Sequence, residues 1–194
     1  MLYFSPQIWC SDDTDAIERL SIQEGTAMVY PVSTIGAHVS ACPNYATGRI
    51  TPFKTRGDVA LCGTFGYELD VTELSDEEAD MIPVQVELYK KYNGLIRTGD
   101  YYRIASYSRN GRYDCYEIVS KDRKKALVTF VQVIAEPNVR KHLIRLCGLA
   151  PDVVYNVNGI KYTGDVLMKA GLPVVRPVGD YASVLIEINA CGGK

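Results

Sequence analysis

Three aspartates fall within four positions of "IWCSDDTDAIERL", residues 8–20: Asp12, Asp13 and Asp15. Carboxylates this close repel one another unless a structure holds them. The pattern suits two roles. Ser, Asp and Thr cap helix N-termini, and acids favour the positive end of the helix dipole. One cap needs one side chain, however, and a carboxyl at the C-terminal end of a parallel strand is where barrel enzymes place catalytic groups. Pattern alone leaves both readings open. His38 in "GAHVSACPN" lies at another expected strand end and reads as a core histidine with one backbone partner rather than a catalyst. "PNYATGR", residues 43–49, is a loop carrying Asn44, Tyr45 and Arg49, balanced between plain connection and substrate lining. "NGR", "SRNG" and "NVNGIKYTGDVLM" read as turns and solvent-facing polar groups.

The elements around these residues divide the chain near Gly99. In the first part, "SPQIWCS" reads as a short buried strand and "DTDAIERLSIQEGTA" as a helix stopped by Gly25. "STIGAHVSA" is a second strand, "RGDVALCGT" a short helix and "FGYELDV" a third, glycine-containing buried strand. "LSDEEADMIPVQVELYKKYNGLIRTGD" is a long helix with Ser75 and Glu78 as a capping box and a kink at Pro83. Strand and helix alternating in this order imply a parallel sheet with helices outside. The opening "MLYF" reads as the end of a helix, so the chain reads as starting in mid-element.

After "RTGD" the texture changes. "YYRIASYS", "RYDCYEIVS", "KKALVTFVQVIA", "HLIRLCGL", "VVYNVNG" and "YASVLIEINA" are short β-rich runs separated by turn chemistry. They predict an antiparallel sandwich, with only "GDVLMKAG" helical.

Composition narrows the function. The 194 residues are 47% hydrophobic with a net charge of −2, so the chain can bury a core and carries no basic stripe for nucleic acid. No apolar run reaches membrane-spanning length, and the acidic start does not read as a signal peptide. Six widely spaced cysteines without a CxxC pair, and two histidines, predict free thiols in a cytoplasmic protein with no metal site and no cofactor. Fourteen tyrosines against four phenylalanines suit half-apolar, hydrogen-bonding surfaces, sugar sites among them.

Taken together, "SPQIWCSDDTDAIERLSIQEGT", "YPVSTIGAHVSACPNYATGRITP" and "RGDVALCGTFGYELD" resemble the α-galactosidases of glycoside hydrolase family 36. "FVQVIAEPN", "IRLCGLAPDVVYNVNG" and "YTGDVLMKAGLPV" continue the resemblance to about residue 190. It implies the last strands of a (β/α)8 barrel over residues 1–98 and a β-sandwich over 99–194. It also implies hydrolysis of terminal α-galactosyl residues of melibiose- and raffinose-type sugars with retained configuration. The family's acid/base aspartate lies in a W-x-S-D motif, here Trp9, Cys10, Ser11 and Asp12. Asp12 is carried over as the acid/base, with Trp9, Cys10 and Ser11 at the substrate wall. Asp13 and Asp15 are left to support the turn and cap the helix.

The resemblance also implies a gap. A retaining glycosidase needs two carboxyls roughly 5 to 5.5 Å apart. The family's nucleophile sits in a lysine–tryptophan–aspartate motif, but the single tryptophan of this sequence, Trp9, is followed by Cys10. The chain is therefore expected to be inactive alone, with an N-terminal part of the enzyme as partner and the full-length parent a homo-oligomer. The alternative is a non-catalytic module for assembly or weak carbohydrate binding.

Overall fold

The computed structural model describes residues 3–137 and 141–192. It divides into two compact units, Met1–Arg97 and Thr98–Lys194. Of the expected helix end at "MLYF", Tyr3 and Phe4 form a turn, while Met1 and Leu2 lie outside the described residues.

In the first unit, α1 (Ala16–Ala27) is followed by β1 (Gly36–Ser40), α2 (Phe53–Ala60), β2 (Thr64–Glu68) and α3 (Asp76–Thr98). β1 and β2 pair in parallel, with His38 opposite Gly66. The stretch expected as a first strand is reduced to one parallel bridge between Ile8 and Ile35. Ile8 N–H donates to Thr34 O at 2.7 Å, and Gly36 N–H to Ile8 O at 2.8 Å. Pro6, two residues earlier, has no N–H to extend the ladder. The stretch is also not buried: residues 5–7 and Trp9 are exposed. β2 is half-buried rather than buried, with Glu68 exposed.

Period-two alternation sorts β1. Ala37 and Val39 are fully buried, as are Ile17 of α1 and Val59 of α2, while His38 points to the opposite face. Polar side chains fix the helices. Arg56 of α2 donates to Ser40 O at 2.6 Å and to Thr51 O at 3.1 Å, and pairs with Glu78 of α3 at 2.5 Å. That pair modifies the expected capping box: Ser75 Oγ accepts the Glu78 N–H at 3.2 Å, while the Glu78 carboxylate turns to Arg56. Buried Gln85 of α3 donates to Phe53 O at 3.0 Å and accepts from Tyr67 Oη at 2.9 Å. Gly25 does not stop α1; the helix runs on to Ala27. Gly25 is exposed and meets nothing within 4 Å, so its helix-weakening entropy is offset by contacts elsewhere along α1.

The second unit holds β3 (Asp100–Ala105), a helical turn α4 (Tyr107–Asn110), β4 (Tyr113–Val119), β5 (Lys125–Gln132), β6 (His142–Ile144), β7 (Val154–Val157), β8 (Ile160–Thr163), α5 (Gly164–Lys169), β9 (Leu172–Val174) and β10 (Ala182–Ala190). Six strands form one sheet in the order β3-β4-β5-β10-β7-β8, and β6 pairs with β9. All of these pairs are antiparallel. Val128, Phe130, Ile186 and Ile188 from the large sheet share one core with Ile144, Leu172 and Val174 from the small one. Two antiparallel sheets over a shared core make a β-sandwich arrangement.

Two strands and one helical turn here were not expected. β7, within the expected "VVYNVNG" run, turns through Asn158 and Gly159, both at positive φ, into β8, which lies in the stretch expected to be only solvent-facing. β9 is only three residues long. The "SRNG" segment, expected as a hairpin turn, winds into α4 before the chain reverses at Gly111, φ +70.

Candidate active site

The aspartate cluster sorts into three roles. Asp15 caps α1, accepting the N–H of Ile17 at 2.8 Å and of Glu18 at 3.1 Å. It is 1% exposed and ion-paired with Arg49, and its second oxygen accepts from Thr47 Oγ1 at 2.7 Å. Asp13 supports the turn, accepting the Asp15 N–H at 3.0 Å. Ser11 Oγ in turn accepts the Asp13 N–H at 3.1 Å. Asp12 alone is exposed. Its Oδ1 accepts a hydrogen bond from Trp9 Nε1 at 3.0 Å, and Oδ2 takes none from the described residues. The three are thus held separately, Asp15 by Arg49, Asp13 by a backbone donor and Asp12 by the Trp9 indole.

The turn that presents Asp12 is strained and pinned. Cys10 has φ +73, a conformation uncommon for a residue with a side chain. Its Sγ contacts Ile8 O at 3.5 Å. Buried Arg19 reaches back from α1 to Gly36 O at 2.5 Å, Trp9 O at 3.3 Å and Ser11 O at 3.5 Å. Burial lowers the pKa of Arg19. From the far side, Tyr45 Oη donates to the Asp12 backbone carbonyl.

The loop of residues 43–49 mostly braces this turn. Asn44 Oδ1 accepts the N–H of Ala46 at 2.9 Å and of Thr47 at 3.2 Å, and its Nδ2 reaches Thr14 Oγ1 at 3.4 Å. Arg49 is engaged with Asp15 and Glu18. Tyr45 stays largely exposed beside Asp12.

His38 is not the expected core histidine with a backbone partner. Its ring is half-buried and lies against Trp9, centroids 4.8 Å apart at 33°, while its buried Nδ1 has no partner. Burial lowers its pKa, Glu68 pulls it up and Arg19 adds to the lowering. Burial thus favours the uncharged form of the ring. Sequence reasoning undervalued His38 because Trp9, the ring it packs on, is far from it in the sequence and no local pattern joins the two.

An exposed carboxylate held by an indole N–H beside two parallel strands suits acid–base chemistry on an external substrate. The likeness to known proteins is of that class: glycoside hydrolases. Residues 1–99 match the melibiase family, and residues 113–188 match the glycosyl hydrolase family 36 C-terminal domain. The chain belongs to the melibiase family. It is 51% identical over 176 residues to the bifunctional alpha-galactosidase/sucrose kinase AgaSK of Mediterraneibacter gnavus, matching 90% of this chain and 19% of that protein. The solved galactosidase domain of AgaSK superposes with a TM-score of 0.94 at 47% identity, over 98% of this chain and 27% of that one. A variant of the alpha-galactosidase AgaA of Geobacillus stearothermophilus, solved in complex with raffinose, gives a TM-score of 0.93 at 43% identity, over 98% and 27%. The chain thus spans between 19% and 27% of the length of these relatives.

Proposed function

We propose that this chain supplies the acid/base side of a retaining α-galactosidase acting on melibiose- and raffinose-type sugars. The first unit is read as the last strands of a (β/α)8 barrel, and the second as the sandwich that follows it. The observation that carries the proposal is Asp12: an exposed carboxyl just beyond the Ile8–Ile35 parallel bridge, oriented by Trp9 Nε1, within the segment matching the melibiase family. Trp9, Cys10 and Ser11 line the wall beside it. The nucleophile is contributed by an earlier barrel strand, outside this sequence.

In the first step Asp12 gives its proton to the glycosidic oxygen as the nucleophile attacks the anomeric carbon and the sugar alcohol leaves. In the second, the Asp12 carboxylate takes a proton from water, which attacks the same carbon and releases galactose. Neighbouring carboxylates are committed elsewhere: Asp13 to a backbone N–H, Asp15 to Arg49 and the helix cap. The six cysteines are free thiols, which supports placing the parent in the cytoplasm. Among the described residues no helix is long and apolar enough to cross a membrane. The parent is read as a homo-oligomer that needs no cofactor.

The test is a chimera in which this chain replaces the matching segment of AgaA. It should hydrolyse melibiose, and Asp12→Asn should lower turnover by roughly 10²- to 10⁴-fold. A folded Asp12→Asn chimera with full activity on melibiose rules out the assignment.

A further inference from the structure

Asp12 is oriented by one side chain, Trp9, and the indole is itself held by a second ring. Arg19 pins the Trp9 backbone through its carbonyl, but that contact leaves the side-chain torsions free. The described ring contact of the indole is His38, stacked at 4.8 Å. His38 in turn has room only because Gly66 stands opposite it in the β1–β2 register. A Cβ on Gly66 would sit 2.5 Å from His38 Cδ2 and 2.9 Å from Nε2. The β1 strand, the ring and the indole therefore form one stack that ends at the Asp12 carboxyl.

We infer that His38, seated against Gly66, is a positioning residue for proton donation: it holds the Trp9 indole so that Nε1 fixes Asp12 Oδ1 and leaves Oδ2 to carry the proton toward the leaving group. The inference rests on the acid/base reading of Asp12. An N–H bound to Oδ1 favours the unprotonated oxygen there, so the acidic proton resides on Oδ2. The His38 ring offers its face to the indole, and Gly66 leaves it the space to do so. Without the ring, Nε1 leaves Oδ1, either oxygen can take the proton, and the carboxyl rotates. A misplacement of about 1 Å can cost on the order of 10²-fold in rate.

The readout is leaving-group dependence. A disaccharide needs its departing oxygen protonated, whereas 4-nitrophenolate leaves with little help. In the AgaA chimera, His38→Ala should lower kcat/KM on melibiose by roughly 10- to 100-fold and on 4-nitrophenyl α-galactoside by less than about 3-fold. Gly66→Ala, which displaces the ring, should show the same split. His38→Phe, which restores a stacked ring, should recover most of the melibiose activity. In an Asp12→Asn background, His38→Ala should add little further loss, since both act through one carboxyl.

Circular dichroism and thermal midpoints separate unfolding from these effects. If His38→Ala does not fold, Gly66→Ala and His38→Phe carry the comparison. Equal losses on both substrates, or none, in a chimera whose Asp12→Asn variant is selectively impaired overturn the positioning role alone. An Asp12→Asn chimera that hydrolyses melibiose normally overturns the acid/base reading instead.

Discussion

Cys147 donates its backbone N–H to Glu117 Oε1 at 2.6 Å, and Glu117 is fully buried in the second unit, with Oε2 unpartnered. Burial raises the Glu117 pKa from 4.5 to about 8, the Cys147 hydrogen bond opposing this. The thiols of Cys115 and Cys147 are raised as well, first by burial. Folded chain keeps the Glu117 proton up to about pH 8, while unfolded chain releases it near 4.5. The unfolded state therefore binds fewer protons in that window, and stability falls as pH rises through it, levelling above. The slope from this one group is at most about 1.4 kcal/mol per pH unit. Urea unfolding between pH 5 and 9 should show the decline, and Glu117→Gln should flatten it. A Gln variant with the wild-type slope would refute the assignment.

Asp15 serves the helix start and the Arg49 pair together. Asp15→Ala leaves two backbone donors and a partly buried guanidinium short of an acceptor, and should cost about 3 kcal/mol. Asp13→Ala, at a half-buried turn position, should cost less than about 1 kcal/mol. Denaturant midpoints give the comparison; equal effects would contradict the division of roles.

Gly57 of α2 sits against the Gln85 amide, so a Cβ there would lie 2.3 Å from Gln85 Nε2. Gly57→Ala ordinarily improves a helix by about 1 kcal/mol. Here the clash with a side chain bonded at both ends should make it destabilising by about 1–3 kcal/mol. Thermal unfolding should also show Gln85→Ala relieving the clash in the double variant.

Among the described residues β2 has β1 alone as a hydrogen-bonded neighbour, and Trp9, with its indole against His38, is exposed on the open face. Unpaired edges and open apolar faces drive association. The purified chain should form higher species as its concentration rises. Light scattering that shows a monomer at millimolar concentration would contradict this.

The alternation of strands and helices in the first unit was legible because the apolar periods change from 2 to 3.6 along the chain. The long runs of β4, β5 and β10 were equally plain. β8 escaped notice because Ile160, Lys161 and Thr163 are exposed, although the Asn158–Gly159 pair is the turn signal that should have marked the hairpin. β9 contains a proline and spans three residues, too short for any period. At the site, the capping role of Asp15 followed from helix chemistry. The singling out of Asp12 rested on the W-x-S-D resemblance. The Trp9–Asp12 bond was not legible because it spans the positive φ of Cys10, and the His38 stack was not because it joins residues far apart in the sequence.

The central claim is that these residues provide the proton donor and another segment provides the nucleophile. The most direct measurement is release of 4-nitrophenol from 4-nitrophenyl α-galactoside, by the purified chain alone and after mixing with the portion of AgaA that precedes the matched segment. A general acid without its partner carboxylate contributes only about 10²- to 10⁴-fold, far below what glycoside hydrolysis requires. The chain alone should therefore release nothing above background, and the mixture should hydrolyse the substrate. Robust release by the chain alone, abolished by Asp12→Ala, would contradict the account and place a second catalytic carboxylate within these 194 residues.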